Sequence, residues 1–284
     1  MARSSAADCS KKTSPSPSVE SLDDLIVLQS YETETQEFQY LTIIHETPDD
    51  RIYFGKSPKK PSEMTLPEYR SALKPVNDDE IFPKISEDMA LTVAPNSILG
   101  FVKRPGLWRY EDKMGTDLVA KEALKEALVM EQVAKLHHPN IIEYYGCRVN
   151  RGRITGLAME QLEYTLAQYT LYPGFEQLDK VKFMEALESA VASIHSLGMA
   201  HNDINPHNIM IKNNMPVLID FGSCQPVGAE LTQFGSPGWT EEYFNTSQKK
   251  HDIYPLTKPR QWLQDPERDI YPWTKPRQGL QNPD

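Results

Sequence analysis

The stretch that most constrains this chain is His201–Gly222, HNDINPHNIMIKNNMPVLIDFG. Ile209–Ile211 and Val217–Ile219 are short apolar runs joined by Lys212–Pro216, where Asn213-Asn214 and Pro216 supply turn chemistry. That pattern predicts a hairpin. Asn208 stands just before the first strand and Asp220 just after the second, so the hairpin brings them to the same end of the pair. Two oxygen donors side by side suit Mg²⁺, which takes one or two protein ligands together with phosphate oxygens. Asp203, in the polar loop ahead of Asn208, is placed to accept a proton from a hydroxyl attacking that phosphate. The plainer reading of the same residues is a polar turn before a buried hairpin, with Asp220 as a helix cap.

In this stretch the chain resembles the protein-kinase-like superfamily. His201-Asn202-Asp203 stands where those kinases carry His-Arg-Asp, Asp203 to Asn208 repeats the D-x-x-x-x-N catalytic loop, and Asp220-Phe221-Gly222 matches the metal-binding DFG. Three residues alone recur by chance; the loop, the asparagine, the hairpin and the DFG in order carry weight together. The resemblance implies an α+β, two-lobed protein-kinase-like fold, with a small β-rich N-lobe and a mainly α C-lobe, truncated here. It also implies ATP and Mg²⁺ as cofactors and a protein substrate.

Asp117–His137 is expected to be a helix capped by Thr116 or Asp117, with an apolar stripe through Ala123, Ala127, Met130, Val133 and Ala134. Glu126 lies inside that stripe, and a buried carboxylate requires a partner. Lys103, at the end of a strand expected over Ser97–Lys103, is the natural candidate. Two alternatives stay open: Glu126 edges the stripe and reaches solvent, or Glu122, one turn earlier, takes the lysine. The pair resembles the strand lysine and helix glutamate of kinases, where the lysine also touches ATP phosphates. His138-Pro139-Asn140-Ile141 resembles the motif leading into the next kinase strand. Glu143–Arg148 and Arg153–Met159 are expected to pair, closed by Asn150-Arg151-Gly152. The resemblance then makes Met159–Leu162 the hinge, with backbone groups of Glu160 and Leu162 on adenine. Asp179–Leu197 is expected as a second helix ending at Gly198, and Gly235–Glu242 resembles the close of a kinase activation segment.

The remaining regions are less distinctive. Residues 1–19 are Ser- and Pro-rich and read as a disordered tail. The N-lobe is expected over 20–160, with strands at Phe38–His45, Arg51–Phe54 and Leu91–Ala94 and an insertion at 57–88. The C-lobe follows over 161–251, and 252–284 is a duplicated segment, DIYPLTKPRQWLQDPER followed directly by DIYPWTKPRQGLQNPD. The resemblance aligns Asp252 with the start of the central helix of the large lobe, while the prolines of each copy are expected to break any long helix. A net charge of −10 argues against nucleic-acid binding, and no run is apolar enough to span a membrane. Three scattered cysteines and no secretory pattern lead us to expect a cytoplasmic or nuclear setting.

Departures from the kinase pattern bear on activity. No G-x-G-x-x-G precedes Lys103, Phe101 stands where kinases keep a small residue under adenine, and Asn205 replaces the catalytic-loop lysine. Asn202 replaces the arginine that reads activation-loop phosphorylation. The expected function is an ATP-dependent protein kinase-like phosphotransferase acting on Ser or Thr. The alternatives are an inactive pseudokinase-type binding module and an aminoglycoside- or choline-type small-molecule kinase.

Overall fold

Strand pairing organises the first eighty residues. The strands β1 (Ile26–Tyr31), β2 (Phe38–Glu46), β3 (Ile52–Ser57) and β4 (Lys74–Pro75) form an antiparallel sheet in that order. The helix α1 (Leu66–Ala72) starts at Thr65, whose backbone N–H and hydroxyl both donate to Glu68, three residues on. A short helix α2 (Asp78–Ile81) follows β4. Leu41, Ile43, Tyr53, Tyr69 and Leu73 form the core of this region together with Val19. Val19, expected in the solvated tail, is therefore buried. The computed structural model describes residues 18–32, 35–107, 110–232, 235–236, 238–240 and 244–264, and its backbone divides into two compact units after Ile81. That division falls inside the span 20–160 expected to be one lobe, and inside the insertion expected at 57–88.

The second unit opens with a three-stranded antiparallel sheet in the order β5 (Phe101–Lys103), β7 (Arg153–Met159), β6 (Tyr144–Asn150). β6 and β7 are joined by Arg151-Gly152, both at positive φ (52° and 70°), the two-residue turn that suits strand twist. The strand expected over Ser97–Lys103 is confined to its last three residues, because Pro95 and Asn96 open a turn ahead of it. Leu91–Ala94 makes a single bridge, Val93 to Cys147, in place of the expected strand. Against the sheet lies α3 (Leu118–Val133), which tightens into a 3-10 turn over Ala134–Leu136 and stops at His137 in a left-handed conformation.

The helical part follows. The helix α4 (Leu166–Tyr169) is capped by the Thr165 hydroxyl. The helix α5 (Lys180–Ser196) starts at Asp179, whose carboxylate accepts from the Lys182 N–H, and ends at Gly198 with φ 75°. The strand β8 (Met199–Ala200) leads into the loop of the opening motif. Then β9 (Ile209–Lys212) and β10 (Met215–Leu218) form the expected hairpin around Asn213-Asn214, both at positive φ. The strand β11 (Gln225–Pro226) pairs back onto β8. The helix α6 (Lys250–Gln264) runs through Pro255 and Pro259, where a break was expected. Its first turn is anchored by buried Asp252, and that anchoring offsets two lost backbone bonds. Met130, Phe183, Leu187, Ile194, Ile209, Leu218 and Phe221 belong to one continuous core of this unit.

Candidate functional site

Strand β5 presents Lys103, and helix α3 presents Glu126 opposite it. The Lys103 Nζ donates to Glu126 Oε1 at 2.6 Å and to Asp220 Oδ1 at 2.8 Å. The rival Glu122 is occupied elsewhere, since Lys113 Nζ donates to both its oxygens at 2.8 and 2.9 Å. Burial disfavours the charge on Lys103, but the Glu126 and Asp220 carboxylates outweigh it and hold the ammonium above its ordinary range. Glu126 is pushed up, because burial exceeds the pull of Lys103 and Asp220 adds repulsion. Asp220 is held low: burial opposes this, and the Lys103 charge and hydrogen bond with the Gly222 N–H prevail.

The hairpin extends one bond past its strands, the Ile219 N–H donating to the Asn208 carbonyl at 2.9 Å. This sets Asn208 across from Ile219 and next to Asp220 at the same end of the pair. The Asn208 amide donates at 2.9 Å to both the Asp203 carbonyl and Asp203 Oδ2. Asp203 Oδ1 accepts from the Ser236 N–H at 2.7 Å and from the Asn205 amide at 3.1 Å. Asn205 also donates to the Ser236 hydroxyl at 3.2 Å, so it ties the loop to the segment around Ser236. The Asn208 Nδ2 is thus committed to Asp203, leaving its Oδ1 available as a metal ligand, and Lys103 and Gly222 fall on Oδ1 of Asp220, leaving Oδ2. One hard oxygen on each of these two side chains, at the same end of the hairpin, is the ligand chemistry that Mg²⁺ takes. Among the described residues there is no cluster of three or more His, Cys, Asp or Glu, and Mg²⁺ bound with phosphates requires none.

The loop is held from below. Asp252, fully buried on α6, accepts from the backbone N–H groups of His201 (2.8 Å) and Asn202 (2.7 Å) and pairs with His195 Nε2 at 2.8 Å. Asn202, at φ 63°, is also buried. Its amide donates to the carbonyls of Ala200 and Ser223 and to the Ser247 hydroxyl. What reads in sequence as a lost arginine is a structural amide. The His201 ring stands edge-on to Phe221 at 5.1 Å.

At the expected hinge, the Glu160 N–H donates to the Glu143 carbonyl at 2.9 Å, and its carboxylate pairs with Lys212 at 2.6 Å. The Glu160 hydrogen bond raises Lys212 above its ordinary range. Leu162 packs against the core. Among the described residues, neither side chain hydrogen-bonds to Lys103, Glu126 or Asp220. Phe101 shares a strand face with Lys103 and is 52% exposed. Pro237 and Glu241-Glu242 of the expected activation-segment close, and the second repeat copy from Asp269, lie outside the described residues. In sequence Asn205 reads only as a lost lysine, and Ser236 carries no signal for its bond to Asp203. Asp252 carried the one usable signal, its alignment with the start of a buried helix.

Residues 109–251, half of the chain, match the family model described as protein kinase domain. A provisionally named serine/threonine-protein kinase/receptor of Acanthamoeba polyphaga mimivirus is 30% identical over 58% of this chain. The serine/threonine-protein kinase/endoribonuclease IRE2 of Homo sapiens is 29% identical over 44% of it, and the MAP kinase kinase kinase win1 of Schizosaccharomyces pombe is 33% identical over 38%. The matched stretches span 10, 16 and 8% of those proteins' own lengths.

Proposed function

From the premise that this chain belongs to the protein kinase domain family, we propose that it is an ATP-dependent phosphotransferase acting on a Ser or Thr hydroxyl of a protein. The observation that carries the reading is the Lys103 ammonium held by Glu126 and Asp220 together. A scaffold has no need to hold a half-buried lysine between two carboxylates, whereas a phosphate site needs a fixed cation beside a metal-ligating carboxylate. In this reading Lys103 orients nucleotide phosphates, Glu126 fixes Lys103, and backbone groups of Glu160 and Leu162 meet adenine. Asn208 and Asp220 hold Mg²⁺, which when bound neutralises charge on the phosphates.

Asp203 positions the acceptor hydroxyl and takes its proton. Donors from Ser236, Asn205 and Asn208 use three hydrogen bonds on its carboxylate, which offers about four acceptor sites. The remaining site serves the hydroxyl. Asn205 supplies geometry here without the positive charge of a lysine, so transfer is expected to be slow for a kinase.

A second reading, a nucleotide-independent binding module, draws on Phe101, whose exposed ring shares the Lys103 face and would crowd adenine. Thermal melts with ATP, with and without Mg²⁺, separate the two. At a hundred times its dissociation constant a ligand of the folded state stabilises by about 2.7 kcal/mol. We expect a Mg²⁺-dependent rise, lost in Asp220→Ala and kept in Asp203→Ala, which instead abolishes transfer to a protein acceptor. No shift at millimolar ATP would leave the binding-module reading standing.

A further inference from the structure

Glu126 reaches Lys103 only if α3 is held at the right height and rotation against the sheet. One contact does not fix both, and a second carboxylate on the same helix makes another. Glu131 lies about 140° around the helix from Glu126. It accepts from Thr92 twice, at Oε1 from the backbone N–H (2.7 Å) and at Oε2 from the hydroxyl (2.9 Å).

Thr92 belongs to a strap that crosses the turn end of the β6–β7 hairpin, bonding first to the start of β7 and then to the outer edge of β6. The Ile154 N–H donates to the Pro83 carbonyl at 2.9 Å, and the Ile85 N–H to the Gly152 carbonyl at 3.2 Å. Farther along, the Cys147 N–H donates to the Thr92 carbonyl at 2.7 Å and the Ala94 N–H to the Cys147 carbonyl at 2.9 Å. The strap can sit this close because residue 146 is glycine. A Cβ there would meet the Ala94 nitrogen at 2.7 Å and the Thr92 oxygen at 2.8 Å, and its φ of 126° is open to glycine. Tyr144 backs the junction, its hydroxyl 3.2 Å from the Cys147 sulfur.

We propose that the strap Pro83–Ala94 is a positioning device for α3, with Thr92 as the residue that locks Glu131 and thereby keeps Glu126 on Lys103. The helix is then gripped on two flanks: by β5 through Lys103–Glu126 and, through Thr92–Glu131, by the strap that is bonded to β6. The consequence for nucleotide rests on the function proposed above; the latch itself does not.

Hydrogen exchange of the nucleotide-free full chain tests it. In Thr92→Val, isosteric and at an exposed site, amides of α3 around Glu126 should exchange roughly five- to tenfold faster, while those of α5 stay unchanged. Glu131→Gln should act in the same direction, and Thr92→Ser, which restores the hydroxyl, should return wild-type rates. Mg-ATP affinity should fall roughly threefold in Thr92→Val and fall no further when that change is added to Glu126→Ala, as expected of residues acting through one another. Unchanged α3 exchange in both Thr92→Val and Glu131→Gln would overturn the proposal, as would faster exchange spread equally over α5 or a failed serine rescue. If the wild type binds no Mg-ATP, the function proposed above fails while the exchange measurements still decide the latch.

Discussion

Lys103 balances two carboxylates that repel one another, so its removal should be felt in stability as well as in nucleotide binding. Lys103→Met should cost about 2 kcal/mol near neutrality, less than the ~3–5 kcal/mol of breaking a fully buried pair, because Asp220 is 43% exposed. The pH dependence has a definite sign. Asp220 is held below its ordinary 3.8, so its contribution is present above 3.8 and is lost as pH falls through the folded value. Glu126 is raised above its ordinary 4.5, so the stability it contributes is present below 4.5 and is lost as pH rises. Without the lysine both carboxyls take up protons more readily in the folded state, and the deficit of Lys103→Met should shrink between about pH 7 and pH 4. Denaturant titrations of both proteins across that range measure it, and a deficit that grows in acid would contradict the charge assignment. The Lys103–Glu126 pair was legible because Glu126 interrupts an apolar stripe. Its rivalry with Glu122 was not, because Lys113 lies in an irregular loop whose reach no periodicity reveals.

Elements with strong local codes emerge where the pattern puts them: the Asn213-Asn214 and Arg151-Gly152 hairpins and the helix capped by Asp179; α3 forms without the expected side-chain cap, Asp117 pairing with Lys121 instead. Those held by tertiary anchors do not. The strap beside β6 is built from isolated bridges, and its residues show no alternation that marks them as paired. Helix α6 contains two prolines and forms around Asp252, whose partners lie some fifty residues earlier in the chain. Asp252→Ala would orphan two buried amides at about 1–3 kcal/mol each, hence a loss of about 2–6 kcal/mol. At roughly 2–4 °C per kcal/mol for a domain of this size, the melting temperature should drop by roughly 4–24 °C. Calorimetry of the variant checks this, and a drop within error would mean that the His201–Asn208 loop is held by Asn202 and Ser247 alone.

At the scale of the whole molecule, the division after Ile81 was hidden by the residues that flank it. Asn77–Glu80 and Pro83-Lys84 around it are polar and read as part of one long insertion, while the two apolar residues at the boundary, Ile81 and Phe82, are both fully buried. Each unit nevertheless has its own core: Val19, Leu41, Ile43, Tyr53, Tyr69 and Leu73 in the first, and a larger cluster from Ala127 to Cys224 in the second. Every residue proposed here for nucleotide, metal and proton transfer lies in the second unit, as do both ends of the Thr92–Glu131 latch. The sheet, the helices and the strap they require are likewise contained in 82–264. A chain of residues 82–284 should therefore fold cooperatively, melt within a few degrees of the corresponding transition of the full chain, and keep its Mg-dependent response to ATP. The comparison needs only melts of the two proteins side by side, each with and without Mg-ATP. A fragment that folds but loses the response would show that the first unit takes part in nucleotide binding. A fragment that fails to fold would show that the second core is incomplete without the residues before Phe82.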